Sequence, residues 1–338
     1  MLRKAAATLI ATTLIATTLL IHPPAGAQPA ASDSPRAAPT VDTEASGVPS
    51  PFARTVRRRA LGYGRLTSND VIGDGQDRWR TGSVTISRAF GYEWNGVPPG
   101  RLFQLIETRV QGQIIAPDNL RGVDPRDRPY AGALSLGVHS HSSHRGLELA
   151  LGADLVVIGP QTRLDSLQRE LHHMLNKPAP SAPVLALQIP DTIRPTAVAE
   201  IGRRYSFGRN VELRPFAEAR AGDETLFRVG ADFTFGQVTR GELLSRESIT
   251  GQRYRVIYGS GPGYSLTLGG DIAWVADSVY LPEARGYRLT DRRDRVRAGV
   301  HWQGRNASAF YGLTYLGPEF TGQTEGQVAG SIRVKLRF

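Results

Sequence analysis

The chain of 338 residues contains no cysteine, only three lysines and, after residue 27, no run of 18 apolar residues. The absence of cysteine excludes disulfide frameworks, thiolate-bound zinc, iron–sulfur clusters and thiol nucleophiles. The absence of a long apolar run excludes a transmembrane helix after residue 27. Because Lys4, Lys177 and Lys335 are the only lysines among 41 basic residues, arginine carries nearly all of the positive charge. This bias fits bidentate contacts to phosphate or carboxylate groups, or simply a GC-rich genome.

The N-terminus has the pattern of a secretory signal. Two basic residues precede a short, threonine-rich apolar run, and small residues follow at 25–27. The pattern predicts a signal peptide over residues 1–27 that is cleaved before Gln28, with a membrane anchor as the alternative. Cleavage removes two basic residues, so the formal charge falls from +10 to 39 − 31 = +8. Residues 28–52 are rich in Ala, Pro, Ser and Thr, which predicts a disordered N-terminal segment.

The C-terminal segment alternates strictly between polar and apolar residues from Ser331 to Phe338. In a strand, Ile332, Val334, Leu336 and Phe338 share one face. The segment resembles the closing strand of bacterial outer-membrane barrels, whose assembly machinery reads a terminal aromatic residue. We therefore expect this machinery to be a partner during biogenesis.

The same alternation recurs along the rest of the chain. It predicts an all-β fold over residues 53–338, a transmembrane antiparallel β-barrel of about 12 strands with an apolar outside and a polar lumen. The candidate strands are 58–67, 79–92, 101–115, 130–142, 145–157, 194–207, 210–221, 225–236, 251–259, 263–276, a hairpin over 293–316, and 328–338. A soluble periplasmic β-protein is the alternative. Inward-facing arginines fit a barrel lumen better than a packed core, in which each arginine would need a partner.

One segment breaks the strand rhythm. Apolar residues recur at helical spacing over residues 163–176, which predicts one short helix in a loop or in the lumen. Such a helix either plugs the barrel or presents a catalytic group. His172 is the better of its two histidines as a positioned base, because it shares a helix face with Gln168.

Other polar residues form two candidate clusters. Oxygen ligands are dense around Asn69 and Asp70, with Asp74 and Asp77 close behind, which is typical either of a Ca²⁺ site or of a solvated turn. Thr81 follows in the next predicted strand, on the face that is expected to point into the lumen. The histidines at 139, 141 and 144 can be read as a metal cluster, but an exposed loop is the favoured interpretation. No local signature nominates a catalytic serine.

Three sequence blocks follow one another between residues 60 and 177. They are Ser-Asn-Asp at 68–70 with Asp-Arg-Trp-Arg-Thr-Gly at 77–82, Asp-Arg-Pro-Tyr-Ala-Gly at 127–132, and Gly-Pro at 159–160 with Gln168 and His172. In this order they resemble the motifs of the outer-membrane lipid A 3′-O-deacylases. The first block departs from the family pattern, because Arg80 stands where the family has tyrosine and Gly82 follows Thr81 without the family's asparagine.

The resemblance implies a twelve-stranded barrel in the outer membrane of a Gram-negative bacterium, which hydrolyses a 3′-linked acyl or acyloxyacyl ester of lipid A. It implies that His172 is the general base that activates water. Asn69 and Asp70 are then expected to form a Ca²⁺ site beside Thr81, where the metal polarises the ester carbonyl. Arg128 is expected to hold the oxyanion or a lipid A phosphate. The expected partners are lipopolysaccharide and outer-membrane lipids, and not nucleic acid.

Two other functions stay open for such a barrel. One is a non-catalytic pore or structural protein on the same scaffold. The other is an outer-membrane phospholipase that uses a Ser–His pair instead of a metal.

Overall fold

A computed structural model describes residues 57–259 and 261–336 of the chain. The predicted signal peptide over residues 1–27 and the predicted disordered segment over 28–52 lie outside the described residues, as does the terminal Phe338. In the described ranges, no helix has the length and apolar character needed to cross a membrane.

The described chain is built almost entirely of antiparallel strands. In chain order they are β1 (Arg59–Asn69), β2 (Trp79–Gly91), β3 (Leu105–Ala116), β4 (Ala131–His144), β5 (Leu147–Ile158), β6 (Thr192–Arg203), β7 (Tyr205–Phe207), β8 (Val211–Ala221), β9 (Glu224–Gly236), β10 (Leu243–Arg246), β11 (Arg253–Ile257), β12 (Gly263–Ser278), β13 (Arg293–Gln303), β14 (Ala307–Leu316) and β15 (Gln327–Leu336). All except β7, β10 and β11 form the barrel wall. Pairing of β1 with β15 and of β6 with β8 closes the barrel, which confirms the predicted fold with 12 wall strands.

The two faces of each wall strand differ sharply in polarity. In β13, Val296, Val300 and Trp302 are exposed on the outside, whereas Arg295 and Arg297 are buried in the lumen. This follows from strand geometry, since successive side chains point to opposite faces. The apolar outer face and charged inner face are those of a barrel in lipid.

A short hairpin of β10 and β11 lies inside the barrel. Its buried Tyr254 and Val256 belong to one apolar cluster with wall residues such as Leu66. Gly62 on β1 leaves room for the hairpin, because a Cβ there would lie 2.2 Å from the carbonyl oxygen of Val256. The prediction of a wall strand over 251–259 was therefore wrong. The hairpin alternates because one of its faces meets the apolar wall cluster and the other meets lumenal charges.

His139 and His141 also lie in the lumen, on the inner face of β4. His139 Nε2 is 2.9 Å from Asp154 Oδ1, and His141 Nε2 is 2.7 Å from Glu107 Oε2. The interpretation of these histidines as part of an exposed loop was wrong, because β4 extends to His144 and carries both rings inward.

The loops at one end of the barrel carry the helices. Helix α1 (Leu164–Met174) confirms the predicted helix over 163–176, and a second short helix, α2 (Ala182–Ala186), follows it in the same β5–β6 connection. The β1–β2 connection lies at the same end, because both connections join an odd-numbered strand of the first six to the next strand. This topology brings the sequence block at 68–82 to the end of the barrel that carries α1.

Candidate active site

The connection from β1 to β2 supplies the acidic side of a compact polar cluster. The side-chain oxygen of Asn69 accepts a hydrogen bond of 2.8 Å from the Val71 amide and so caps a single turn of 3₁₀ helix over Asp70–Ile72. Asp70 is fully buried in that turn. Its Oδ2 accepts a bond of 2.7 Å from the Arg78 amide, which fixes the carboxylate against the start of β2.

Thr81 links two carboxylates of this connection. Its hydroxyl lies 2.7 Å from Asp77 Oδ1 and 3.1 Å from Asp70 Oδ1. The β2–β3 register shifts between Trp79 and Gly82, and such a bulge turns side chains out of their regular alternation. Because a hydroxyl has one proton, it can donate to only one of the two carboxylates at a time. The other oxygen is left without that donor.

His172 approaches this cluster from the C-terminal part of α1. Asn176 adopts a left-handed conformation with φ of 52°, and the Lys177 amide donates to the His172 carbonyl oxygen at 2.8 Å. This closure of the helix end brings the Pro178 carbonyl oxygen within 2.6 Å of His172 Nδ1. A carbonyl only accepts hydrogen bonds, so the Nδ1 atom carries a proton. Nε2 is then the nitrogen available for proton transfer.

Asp77 connects the histidine with the threonine. Its Oδ2 lies 3.2 Å from His172 Nε2 and 3.3 Å from Lys177 Nζ, while its Oδ1 accepts from Thr81. The Lys177 and Asp77 side chains are 28% and 21% exposed, whereas the His172 side chain is 5% exposed. The Lys177–Asp77 pair therefore lies on the solvent side of the buried imidazole.

The other two sequence blocks hold α1 in place. The Tyr130 hydroxyl donates a hydrogen bond of 2.8 Å to Gln168 Oε1, and both side chains are buried. Gly159 has a positive φ of 100°, and a Cβ there would lie 2.7 Å from the backbone nitrogen of Asp191. Glycine is the residue that tolerates both conditions. All three blocks therefore converge on the surroundings of His172.

The electrostatic state of Asp70 reflects its burial. Loss of solvation raises the pKa of Asp70 to about 8, although the hydrogen bond from the Arg78 amide lowers it. The nearby charge of Asp77 raises this pKa further, and the bond from Thr81 lowers it. Asp70 and Asp77 thus form a close pair of carboxylates in which Asp70 has no cationic partner among the described residues.

This cluster offers oxygen donors of the kind that Ca²⁺ prefers. Asn69 contributes an amide oxygen, Asp70 and Asp77 contribute carboxylates, and one carboxylate oxygen beside Thr81 lacks a donor. A positive ion at that oxygen would compensate it. Within the described residues, no three or more acidic or histidine side chains are grouped as a metal site. Because Ca²⁺ takes six to eight oxygen ligands, amide, carbonyl and water oxygens would have to supply most of them.

Arg128 lies apart from the groups around His172. Its buried side chain bonds Glu319 Oε2 at 2.6 Å, and no contact among the described residues joins it to Asp70, Thr81 or His172. The pKa of Arg128 is lowered, mainly because the side chain is buried. The charge of Glu319 opposes this shift, and the charge of Arg80 adds to it. The structure therefore brings together Asn69, Asp70, Thr81 and His172, but not Arg128.

Two groups at the site were not predicted from the sequence. The Pro178 carbonyl is a backbone group that no motif reveals. Lys177 had a signal, since it is one of three lysines and follows His172 by five residues. Of the nearby acids, Asp77 joins the cluster, whereas Asp74 accepts from the Gln76 and Val328 amides and holds the end of β15.

The chain is similar to known outer-membrane proteins. The family model described as "Outer membrane protein LpxR" matches residues 42–338. Among solved structures, LpxR from Salmonella typhimurium has a TM-score of 0.69 at 16% identity and covers 82% of this chain and 100% of that chain. At that identity the likeness shows the fold alone. The β domain of the Bordetella autotransporter BrkA has a TM-score of 0.40 at 12% identity, with coverage of 82% and 99%.

No curated protein sequence matches the chain. The family match is nevertheless nearly complete, since it includes every described residue and all three sequence blocks. The chain therefore belongs to the LpxR family of outer-membrane proteins, the lipid A 3′-O-deacylase family that its motifs resemble, and it is a twelve-stranded β-barrel of the outer membrane.

Proposed function

We propose that the chain is an outer-membrane carboxylic ester hydrolase that removes a 3′-linked acyl or acyloxyacyl chain from lipid A. The observation that carries the proposal is the setting of His172. Its Nδ1 is held by the Pro178 carbonyl, and its Nε2 lies beside Asp77 in a cluster with Thr81. Membership of the LpxR family supports lipid A as the substrate class.

The chemistry assigned to His172 is general base catalysis. Nε2 takes a proton from a water molecule whose oxygen attacks the ester carbonyl carbon, giving a tetrahedral intermediate and an imidazolium. The negative charge of Asp77, 3.2 Å from Nε2, stabilises this imidazolium. When the intermediate collapses, the bond between the acyl carbon and the alcohol oxygen breaks, and the proton passes from Nε2 to the leaving alkoxide. The products are a free fatty acid and a lipid A hydroxyl.

The proposed metal site consists of Asn69 and Asp70 with Thr81 beside them. When bound there, Ca²⁺ would polarise the ester carbonyl and stabilise the developing oxyanion. The Thr81 hydroxyl lies between the carboxylates of Asp70 and Asp77 and donates to one of them at a time. The oxygen donors of this cluster support a hard cation.

Arg128 is proposed to hold the oxyanion or a lipid A phosphate, and for this its guanidinium would have to turn away from Glu319. Its Nη1 is bonded to Glu319, which also pairs with Arg80 at 3.0 Å. Arg80, which replaces the family's tyrosine, also pairs with Glu224 at 3.1 Å. Arg80 is thus held by lumenal ion pairs and, among the described residues, makes no contact with His172.

The proposed substrate and partners follow from the membrane setting. In barrels of this kind the longer loops lie on the extracellular side and the shorter turns on the periplasmic side. Because the β5–β6 connection that carries α1 is long, we propose that His172 lies at the outer-leaflet end, where lipopolysaccharide resides. Outer-membrane lipids surround the apolar wall, and the barrel assembly machinery is the proposed partner during biogenesis.

The contacts of the described residues give less support to the two other functions. A passive pore requires an open lumen, whereas the hairpin of β10 and β11 fills it through bonds such as Ser245 to Glu107 at 2.6 Å. A Ser–His phospholipase requires a serine on the imidazole. In the described part of the chain, the His172 nitrogens contact only Pro178 and Asp77.

Mass spectrometry of lipid A tests the proposal. We expect lipid A from cells that make the wild-type protein to lack one acyl or acyloxyacyl group, and lipid A from cells that make His172→Ala to retain it. Heat-modifiable migration in detergent gels checks that both barrels are folded. An identical acylation pattern in both strains, with Ca²⁺ in the medium, would overturn the proposed hydrolase.

A further inference from the structure

A cavity in the lumen is lined by an excess of arginines. It lies between the inner hairpin and the wall formed by β4, β5, β6 and β8, and has a volume of about 60 Å³. Its charged lining consists of Arg109, Arg204, Arg214, Arg220, Arg246 and Arg253 against Glu148, Glu200 and Glu218. Pro98, in the connection between β2 and β3, also lines it. That connection lies at the opposite end of the barrel from the β5–β6 connection that carries His172, so the cavity lies toward that opposite end.

Five of these six arginines have a carboxylate partner. The pairs are Arg109 with Glu107 at 2.9 Å, Arg204 with Glu148 at 2.5 Å, Arg214 with Glu200 at 2.7 Å, Arg220 with Asp223 at 2.8 Å, and Arg246 with Glu200 at 2.7 Å and Asp232 at 2.9 Å. Arg253 differs from the rest. Among the described residues, no carboxylate lies within 4.0 Å of its guanidinium, and the guanidinium makes no hydrogen bond to the protein.

Arg253 is partly buried among other charged groups. It starts β11 and lines both this cavity and a second one against β12 and β13. Its neighbours Arg214, Arg246 and Arg204 repel its charge, whereas Asp232 attracts it. A charge held away from bulk water is tolerated when a counter-charge compensates it. Among the described residues, no carboxylate compensates Arg253 by direct contact, and Asp232 acts on it only from a greater distance.

We propose that this cavity binds one small tetrahedral oxyanion, of the class of inorganic phosphate or sulfate, with Arg253 as its principal ligand. A guanidinium binds such an anion through two parallel hydrogen bonds, which a spherical halide cannot accept in the same way. The anion would also lie near Arg214 and Arg204, whose carboxylate partners are shared. Bound there, it links β11 of the hairpin to the barrel wall and stabilises the plugged lumen.

Thermal unfolding of the full chain in detergent, with inorganic phosphate as the probe, tests the site. At constant ionic strength we expect phosphate to raise the wild-type Tm with a saturable dependence, because the folded state alone binds the anion. Arg253→Met should lose this response. In chloride alone, Arg253→Met should unfold at or above the wild-type Tm, because an unpaired cation has been removed.

Arg246→Met is the matched control on the same hairpin. It should lower the Tm in chloride, because it leaves Glu200 and Asp232 short of a partner, and it should keep a saturable rise with phosphate. An equal rise of Tm with phosphate in wild type and Arg253→Met would show an adventitious ion only. No saturable rise of Tm in wild type would overturn the site. An equal saturable response to chloride would overturn the oxyanion class.

A crystallographic measurement covers the case in which Arg253→Met does not fold. Wild-type crystals soaked in selenate should show an anomalous selenium peak beside the Arg253 guanidinium. Peaks confined to the protein surface would overturn the site. The readouts are independent of ester hydrolysis, so failure of this inference leaves the proposed function untouched.

Discussion

Asp77→Asn is the substitution that tests the proposed site most sharply, because it removes a charge and keeps the shape of the side chain. Asp77 Oδ2 lies 3.2 Å from His172 Nε2. At that distance and an effective dielectric constant of about 20, a carboxylate stabilises a unit positive charge by about 5 kcal/mol. Lys177 shares the same oxygen and the Asp77 side chain is 21% exposed, so we retain less than half of that value. A loss of about 2 kcal/mol corresponds to a fall in kcat of about 30-fold.

The assay is release of fatty acid from purified lipid A by the detergent-solubilised protein, with kcat and KM measured separately. We expect the loss in kcat, since the imidazolium forms only after the substrate has bound. Asp74→Asn is the matched control, because the Asp74 carboxylate lies in the same connection and, within the described ranges, accepts only from the Gln76 and Val328 amides. A folded Asp77→Asn protein with wild-type kcat, or an equal loss in Asp74→Asn, would refute the reasoning.

Three further predictions follow from single contacts. Thr81→Val removes the hydroxyl between Asp70 and Asp77. Because a hydrogen bond to a charged group contributes about 1.5 kcal/mol, we expect kcat to fall about tenfold in the same fatty-acid assay. An unchanged kcat would contradict a role for this hydroxyl. Arg128→Gln removes one of the cationic partners of the partly buried Glu319, and we expect it to destabilise the barrel by about 2 kcal/mol in a urea titration. Unchanged stability with lost activity would favour a direct role in substrate binding. Removal of residues 243–257 should open the lumen and give steady conductance in liposomes, whereas the full chain should give none; a conducting full chain would support the pore alternative.

Alternation predicts the barrel wall well because the membrane imposes it. Each wall strand separates lipid from a polar lumen, so residues such as Val300 and His301 in β13 differ in polarity at every step. The same alternation wrongly predicted a wall strand over 251–259. Inside the barrel that segment also separates two unlike environments, an apolar cluster around Leu66 and a network of charges, and period two alone does not distinguish this setting from a wall strand.

The candidate site was predictable where its residues belong to short blocks. Asn69, Asp70 and Thr81 are close in sequence, and the order of the blocks pointed to His172. The partners of His172 were not predictable in the same way. The Pro178 carbonyl reaches Nδ1 only because Asn176 adopts a left-handed conformation at the helix end, which is a property of the backbone.

Long-range ion pairing explains the outcome for Arg128. Its partner Glu319 lies 191 residues further along the chain, in the connection between β14 and β15. Only closure of the barrel through β1 and β15 brings that connection to Arg128. A motif reveals that an arginine is present, whereas the direction of its guanidinium depends on which acids the fold places around it.

We propose above that the cluster of Asp70, Thr81, Asp77 and His172 hydrolyses an ester of lipid A with water as the nucleophile. The most direct measurement incubates purified protein with lipid A and Ca²⁺ in ¹⁸O-labelled water and analyses both products by mass spectrometry. We predict one ¹⁸O atom in the released fatty acid, an unlabelled hydroxyl on the lipid A product, and no release by folded His172→Asn protein. Release by His172→Asn at the wild-type rate, or no release by the wild-type protein, would contradict the claim.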